Sequence, residues 1–297
     1  MRLSACIGCK KCPNMKAADF FKTDEGQKYL KIFQGSTIVV KYGGAALEEK
    51  SMMDYFLEDV AQMKQHGINI ILVHGGGKML SEKMKERNLP VVFEKGMRKT
   101  TAEAADLARE VFADLNQVIC DKLREFGSQP LGLAAGNTVS ARLLDPADPE
   151  NRVGEVASIN AGLIDTHLLP VISSIGKSVD AGIPAGSYLN INADLVAVAV
   201  AESVRARKLV FISDVNGIYL DHTRAETKLS HVTEAEIYRL IQDGVLHGGM
   251  QLKVEMALKA LKSGVDKVHF IDGRIEHSLM YEIFTDKGIG TEIVHNE

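Results

Sequence analysis

From Thr37 onward, short β-branched apolar runs alternate with longer stretches of helical period. TIVVKYGG reads as a strand stopped by paired glycines, followed by a helix over about 48–65. INIILVHGGG repeats that design and leads into the helix KMLSEKMKERN. A long helix is predicted over 102–126, then a strand in QPLGLAAG, loop and hairpin material to about 159, and a strand in LLPVISSIG followed by turns. INADLVAVAVAESV predicts a helix, and KLVFISDVNGIY a strand ending in a glycine turn. TEAEIYRLIQDG and QLKVEMALKALKSG are helical, VDKVHFIDG is a late strand and SLMYEIFTDKG a late helix. Ahead of this series, residues 17–34 predict a helix interrupted near Gly26 and ended by Gly35. Residues 1–16 are rich in Cys and Lys and have no hydrophobic period.

Strands alternating with helices predict an α/β fold, an open, mainly parallel sheet sandwiched between helices, with an extra N-terminal helix. The strands are near-continuous Val/Ile/Leu runs, as expected when both faces of a sheet are buried. No Pro- or Ser-rich linker separates domains, so any two lobes are expected to share one sheet.

Composition narrows the function classes. The 297 residues are 45% hydrophobic and 25% charged, which suits an ordinary globular protein. A net charge of −4 disfavours nucleic acid as a partner but leaves small anions open. No apolar run approaches the roughly 20 residues that cross a bilayer. The N-terminus lacks a secretory apolar segment, so the expected location is cytoplasmic. Four cysteines do not suggest a disulfide framework. Cys6, Cys9 and Cys12, followed by Pro13, have iron–sulfur or zinc spacing but lack a fourth ligand. They are read as a reduced tail, with a metal shared between subunits as the alternative. Cys120, inside the long helix, is read as a core residue.

Glycines cluster at three strand ends: Gly43-Gly44, Gly75-Gly76-Gly77, and Gly217 in Asp214-Val215-Asn216-Gly217. Ligands of parallel sheets bind at the carboxyl ends of the strands. A strand that stops at glycines and enters a helix leaves free N–H groups at a positive dipole end, a ready anion site. One such turn is more simply a tight connection, but three favour a ligand. Neither a Walker A run nor G-x-G-x-x-G is present. Lys41 closes an apolar strand beside one glycine pair; a snorkelling edge lysine is the plain alternative. Asn190, Asn192 and Asp194 precede an apolar helix, so at least one is expected to cap it. Lys253 sits early in a helix, where its charge opposes the dipole and suggests an anionic partner.

Taken together, TIVVKYGGAAL, ILVHGGGKML, EKGMRKTT, LLPVISSIG, NINADLVAVAVA, VFISDVNGIY, GGMQLKVEMALKAL and HSLMYEIFTDKGIGTEIV resemble the amino-acid kinase family from residue 35 to the C-terminus. The resemblance is to members that transfer the γ-phosphoryl of ATP to the γ-carboxylate of N-acetyl-L-glutamate in arginine biosynthesis. It implies an N-terminal tail and oligomerisation helix over 1–34, an acetylglutamate lobe over 35–205 and an ATP lobe over 206–297. By matched motif, Lys41 and Lys253 would flank the transferring phosphoryl group and Asp194 would orient both. Gly43, Gly44, Gly76 and Gly77 would give backbone donors to phosphate and substrate. Arg98 would pair the substrate α-carboxylate, and Asn190 would bind the acyl substrate with Asn192 close behind. Asp214, Val215, Asn216, Gly217, Ile218 and Tyr219 would line the nucleotide pocket. Mg2+ would arrive with ATP, and no side chain is named as its ligand. The 17–34 segment and residues 285–293 resemble arginine-inhibited members, which implies L-arginine as inhibitor and a homo-hexamer. Gly136-Asn137-Thr138 departs from the family pattern, lacking its acid and lysine. A kinase for a carrier-linked aminoadipate and a non-catalytic arginine-sensing paralogue are the alternatives.

Overall fold

The computed structural model describes residues 15–44, 50–94 and 97–296; Cys6, Cys9 and Cys12 lie outside them. In chain order the helices are α1 (Ala17–Phe20), α2 (Asp24–Phe33), α3 (Lys50–Gln65), α4 (Gly77–Glu86), α5 (Ala102–Glu125), α6 (Ala193–Ser203), α7 (Glu234–Gln242), α8 (Gly248–Lys262) and α9 (Ser278–Phe284). The strands are β1 (Thr37–Tyr42), β2 (Asn69–His74), β3 (Phe93–Glu94), β4 (Met97–Arg98), β5 (Pro130–Leu133), β6 (Val139–Leu143), β7 (Val153–Ile159), β8 (Leu169–Ser173), β9 (Ile175–Ser178), β10 (Tyr188–Ile191), β11 (Lys208–Ser213), β12 (Ile218–Tyr219), β13 (Lys228–Leu229), β14 (His231–Thr233), β15 (Lys267–Asp272) and β16 (Thr291–Val294).

Eight strands form one sheet in the order β14-β16-β15-β11-β1-β2-β8-β5. Every neighbouring pair is parallel except β15 and β16. With β1 between β2 and β11, strands from both halves of the chain meet in a continuous sheet, as the missing linker led one to expect.

The two-residue period of β1 decides which partners its side chains meet. Ile38, Val40 and Tyr42 enter an apolar cluster with Phe20 of α1, Leu57 of α3 and Leu279 of α9. Val39 enters a second cluster with Val196 of α6 and Val254 and Leu258 of α8. Lys41 has the parity of Val39, so the pleat directs it toward α6 and α8. Helices therefore cover both faces of the sheet. Among the described residues no helix is long and apolar enough to cross a membrane.

Three local readings need correction. The N-terminal helix breaks at 21–23, not at Gly26: Thr23 caps α2 by accepting the Gly26 N–H. Gly26 belongs to the first turn of α2, where a Cβ would collide with the Phe20 carbonyl. LLPVISSIG is two strands, because the chain leaves the main sheet at Ser174, whose carbonyl accepts the Ile191 N–H. The expected hairpin, β6–β7, is present, but with β9 and β10 it closes into a small four-stranded barrel.

Candidate active site

Lys41, next to last in β1, lies opposite Val73 and Phe211. Its side chain curls over Gly43, where a Cβ would lie 2.7 Å from Lys41 Nζ, so this approach requires glycine. Asp194 lies in the first turn of α6, and Asn192 is the cap, its Oδ1 accepting the Asp194 N–H at 2.8 Å. Helix α8 packs on α6 through a stripe that includes Val254, Ala257 and Leu261. Lys253, one turn ahead of Ala257, stands at the edge of that stripe.

Strand parity, the cap and helix packing thus bring three distant residues to one point. Lys41 Nζ is 2.9 Å from Asp194 Oδ1, and Lys253 Nζ is 3.5 Å from Asp194 Oδ2. The Lys41 and Asp194 side chains are 11% exposed and that of Lys253 is 24% exposed. Burial pushes the Asp194 carboxyl up, but Lys41 and then Lys253 outweigh it and hold the group below the usual carboxylate range. One carboxylate therefore fixes two ammonium groups.

Of the trio, Lys41 lines a cleft of about 930 Å3, together with Asp214, whereas Asp194 and Lys253 are not on its walls and reach it through Lys41. Gly43 and Gly44 follow β1, and Gly75, Gly76 and Gly77 lead into the N-terminus of α4, whose first N–H groups lack helical partners. Asn190, Asn192 and Arg98 complete the sequence-predicted residues on the cleft wall. Arg98 is mostly buried, and burial pulls its pKa down. It donates to the Gly77 carbonyl at 2.5 Å, sits 4.7 Å from the Phe93 ring centroid and reaches the Met84 sulfur. None of these partners is a carboxylate, so its charge is available to an anion in the cleft. Asn190 Nδ2 donates to Thr100 Oγ1 at 3.3 Å.

His74, at the end of β2, is fully buried. Its Nδ1–H donates to the Gly75 carbonyl at 2.8 Å, and Nε2 accepts from Asn116 Nδ2 at 3.0 Å. The same Asn116 nitrogen donates to the Val171 carbonyl. Burial pulls the imidazole down to about 4, so it is neutral near pH 7 and acts as a strut under the glycine turn.

The 214–219 segment divides. Asp214 lines the cleft, whereas Val215, Asn216, Gly217, Ile218 and Tyr219 fall outside its walls. The Val215 N–H donates to Ser213 Oγ, and Asn216 Oδ1 is buried without a hydrogen-bond partner among the described residues. Gly217 has φ +92° and lies so close to Thr291 that no side chain fits. The Ile218 side chain is in the core while its N–H donates to Thr291 Oγ1, and Tyr219 pairs with Lys228 in the β12–β13 ribbon. Gly136, Asn137 and Thr138 also lie off the cleft, with Asn137 accepting from Lys177 Nζ at 3.4 Å.

Sequence reading passed over Phe93, Ser174 and Glu82, which also line the cleft. Glu82 alone carried a usable signal, lying on a helix that starts at a glycine turn. Phe93 is brought in by the β3–β4 pairing and Ser174 by the switch between sheets.

Residues 36–272 match the amino acid kinase family. The chain belongs to that family. Among curated amino acid kinases, an acetylglutamate kinase of Marinobacter nauticus is 39% identical over 91% of this chain and 97% of its own length. Another, from Syntrophobacter fumaroxidans, is 40% identical over 91% and 94%. Among solved structures, the N-acetylglutamate synthase of Neisseria gonorrhoeae, complexed with coenzyme A and N-acetyl-glutamate, shares the fold of this amino acid kinase, with a TM-score of 0.79 at 23% identity. The match covers 94% of this chain and 63% of that one, so this chain spans less than two thirds of that neighbour.

Proposed function

We propose that the protein phosphorylates the γ-carboxylate of N-acetyl-L-glutamate with ATP, the reaction for which its curated relatives are named. The observation that carries the reading is a single carboxylate holding two ammonium groups beside a glycine-lined cleft. The acceptor carboxylate is already ionised and attacks the γ-phosphorus directly. A bond forms from its oxygen to phosphorus, the bond from phosphorus to the β,γ-bridging oxygen breaks, and the electron pair leaves with ADP. No proton needs to move, so no general base is required and Asp194 is free to serve as the anchor of the two lysines. Catalysis is then positioning and charge neutralisation. Lys41 and Lys253 offset the charge that spreads over the phosphoryl oxygens, and Asp194 keeps both lysines oriented. Gly43, Gly44, Gly76 and Gly77 supply backbone donors, and Arg98, with Asn190 and Asn192, holds the acceptor. The nucleotide enters as its Mg2+ complex, with residues 206–297 as its lobe and residues 35–205 as the acceptor lobe. In the 214–219 segment, Asp214 reaches the cleft, and the others contribute through backbone and support. A cytoplasmic location belongs to the same reading. Hydroxamate formation with ATP, Mg2+ and N-acetylglutamate, set against glutamate, aspartate and aminoadipate, tests it. Turnover confined to another acceptor, or none at all, refutes it.

The reading extends to inhibition by L-arginine. A second cavity of about 450 Å3 lies between α2 and the segment from α9 to β16, the two regions that resemble arginine-inhibited members. Tyr29 and Phe33 line one side, and Glu282, Asp286 and Glu292 supply carboxylates on the other. Arg207, Lys208, Lys267 and Lys287 line the cavity as well, so the acids and the Tyr29 ring suit a guanidinium and the cations suit an α-carboxylate. Helix α2 is clasped to this region by Asp286, which accepts from Lys28 Nζ at 2.7 Å and Tyr29 Oη at 2.9 Å. Calorimetry with arginine tests the site, and light scattering tests the proposed hexamer.

A further inference from the structure

We propose that Thr100 is a positioning residue, its buried hydroxyl tying the strand that carries Arg98 to the amide of Asn190 and so fixing the two groups that hold the acceptor relative to each other. The inference rests on reading Arg98 and Asn190 as acceptor-binding residues. Thr100 lies two residues after Arg98, just beyond β4, and is completely buried, yet it carries no charge and does not line the cleft. Its hydroxyl proton is committed to the Arg98 carbonyl, at 2.9 Å. A hydroxyl has one proton and two lone pairs, so the same oxygen accepts from Asn190 Nδ2, at 3.3 Å. One proton of the Asn190 amide nitrogen is thereby fixed, which sets the plane of the amide. The second N–H and Oδ1 are left to a ligand in the cleft that Asn190 lines.

The backbone of Thr100 is anchored separately. Its N–H donates to Asn151 Oδ1 at 3.0 Å, and its carbonyl accepts the Arg152 N–H at 2.6 Å. The Arg152 carbonyl in turn accepts the Asn190 N–H at 2.9 Å. Main-chain bonds thus hold Thr100 to the barrel without the hydroxyl. What the hydroxyl adds is a bridge from the short β3–β4 ribbon, whose two strands have two residues each, to an amide on β10. So small a ribbon has little pairing of its own to hold a guanidinium in place, and the bridge gives Arg98 a fixed reference on the barrel.

The experiment compares Thr100→Val, which is similar in shape but has no hydroxyl, with Thr100→Ser, which keeps it. Steady-state kinetics are run with N-acetylglutamate and ATP varied separately, alongside the thermal midpoint of each variant. The expected result for Thr100→Val is a KM for the acceptor raised about tenfold, the scale of one lost buried hydrogen bond, with KM for ATP within twofold of wild type. Thr100→Ser should return the acceptor KM to within about twofold. An acceptor KM unchanged in Thr100→Val would overturn the proposal. So would both KM values moving together, or a serine variant as defective as the valine one. Arg98→Ala and Asn190→Ala serve as controls. If they leave the acceptor KM untouched, the acceptor site itself is misread and the proposal falls with it. If they raise it while Thr100→Val does not, only the role of Thr100 is lost.

Discussion

Replacing Asp194 with Asn keeps the shape of the side chain and removes the charge shared by two lysines. At an effective dielectric constant of about 20, a unit pair at the Lys41 distance of 2.9 Å attracts by about 6 kcal/mol, and one at the Lys253 distance of 3.5 Å by about 5 kcal/mol. Burial of the carboxylate opposes both, so the net contribution is smaller. Breaking a buried ion pair by removing one partner costs about 3–5 kcal/mol of stability. The lower end is expected here, because Lys253 can turn toward solvent. The catalytic loss is separate: two cations no longer held for the phosphoryl oxygens resemble the loss of one preorganised charge-stabilising group, about 100- to 1000-fold in kcat. Asp194→Asn should therefore lower kcat by that factor in the hydroxamate assay and leave both KM values within about threefold. Urea unfolding of the same preparation confirms that the variant is folded. A folded variant with kcat within threefold of wild type would refute the claim that Asp194 organises the two lysines.

Lys41→Ala and Lys253→Ala should each cut kcat at least about 100-fold with little change in the unfolding midpoint; near-normal turnover would remove that lysine from the mechanism. Asn116→Leu strands the acceptor Nε2 of His74 and deprives the Val171 carbonyl of its donor. A loss of about 1–3 kcal/mol in urea unfolding is expected, and none would mean that the strut under the glycine turn is unimportant. Glu282 is buried, which pushes its carboxyl up, but His269 and the N–H groups of Ile289 and Gly290 overcome this and hold it below its ordinary 4.5. A depressed folded-state pKa stabilises above the unfolded value, and that contribution disappears as the pH falls below it. With the folded carboxyl held down to about 2, the stability advantage of wild type over Glu282→Gln should therefore shrink between about pH 5 and pH 2, and parallel curves would contradict this.

The sequence alone determined the local grammar. Apolar runs of the right length gave the parallel strands, glycine turns gave their ends, and strand parity placed Lys41 on the side of Val39. The cap at Asn192 was legible as one of three choices, since a short polar side chain ahead of an apolar helix accepts its first N–H groups. The meeting of Lys41, Asp194 and Lys253 could be expected only from resemblance to a family, because no local pattern states which helix packs on which strand. The structure makes that decision through the packing of α6 against β1 and α8. The four-stranded barrel was illegible for a related reason. An apolar run such as LLPVISSIG looks the same whether it serves one sheet or crosses at Ser174 from one to another. Only when distant segments offer their own free N–H and carbonyl groups is the pairing settled, and with it the wall of the cleft that carries Asn190 and the hydroxyl beneath it.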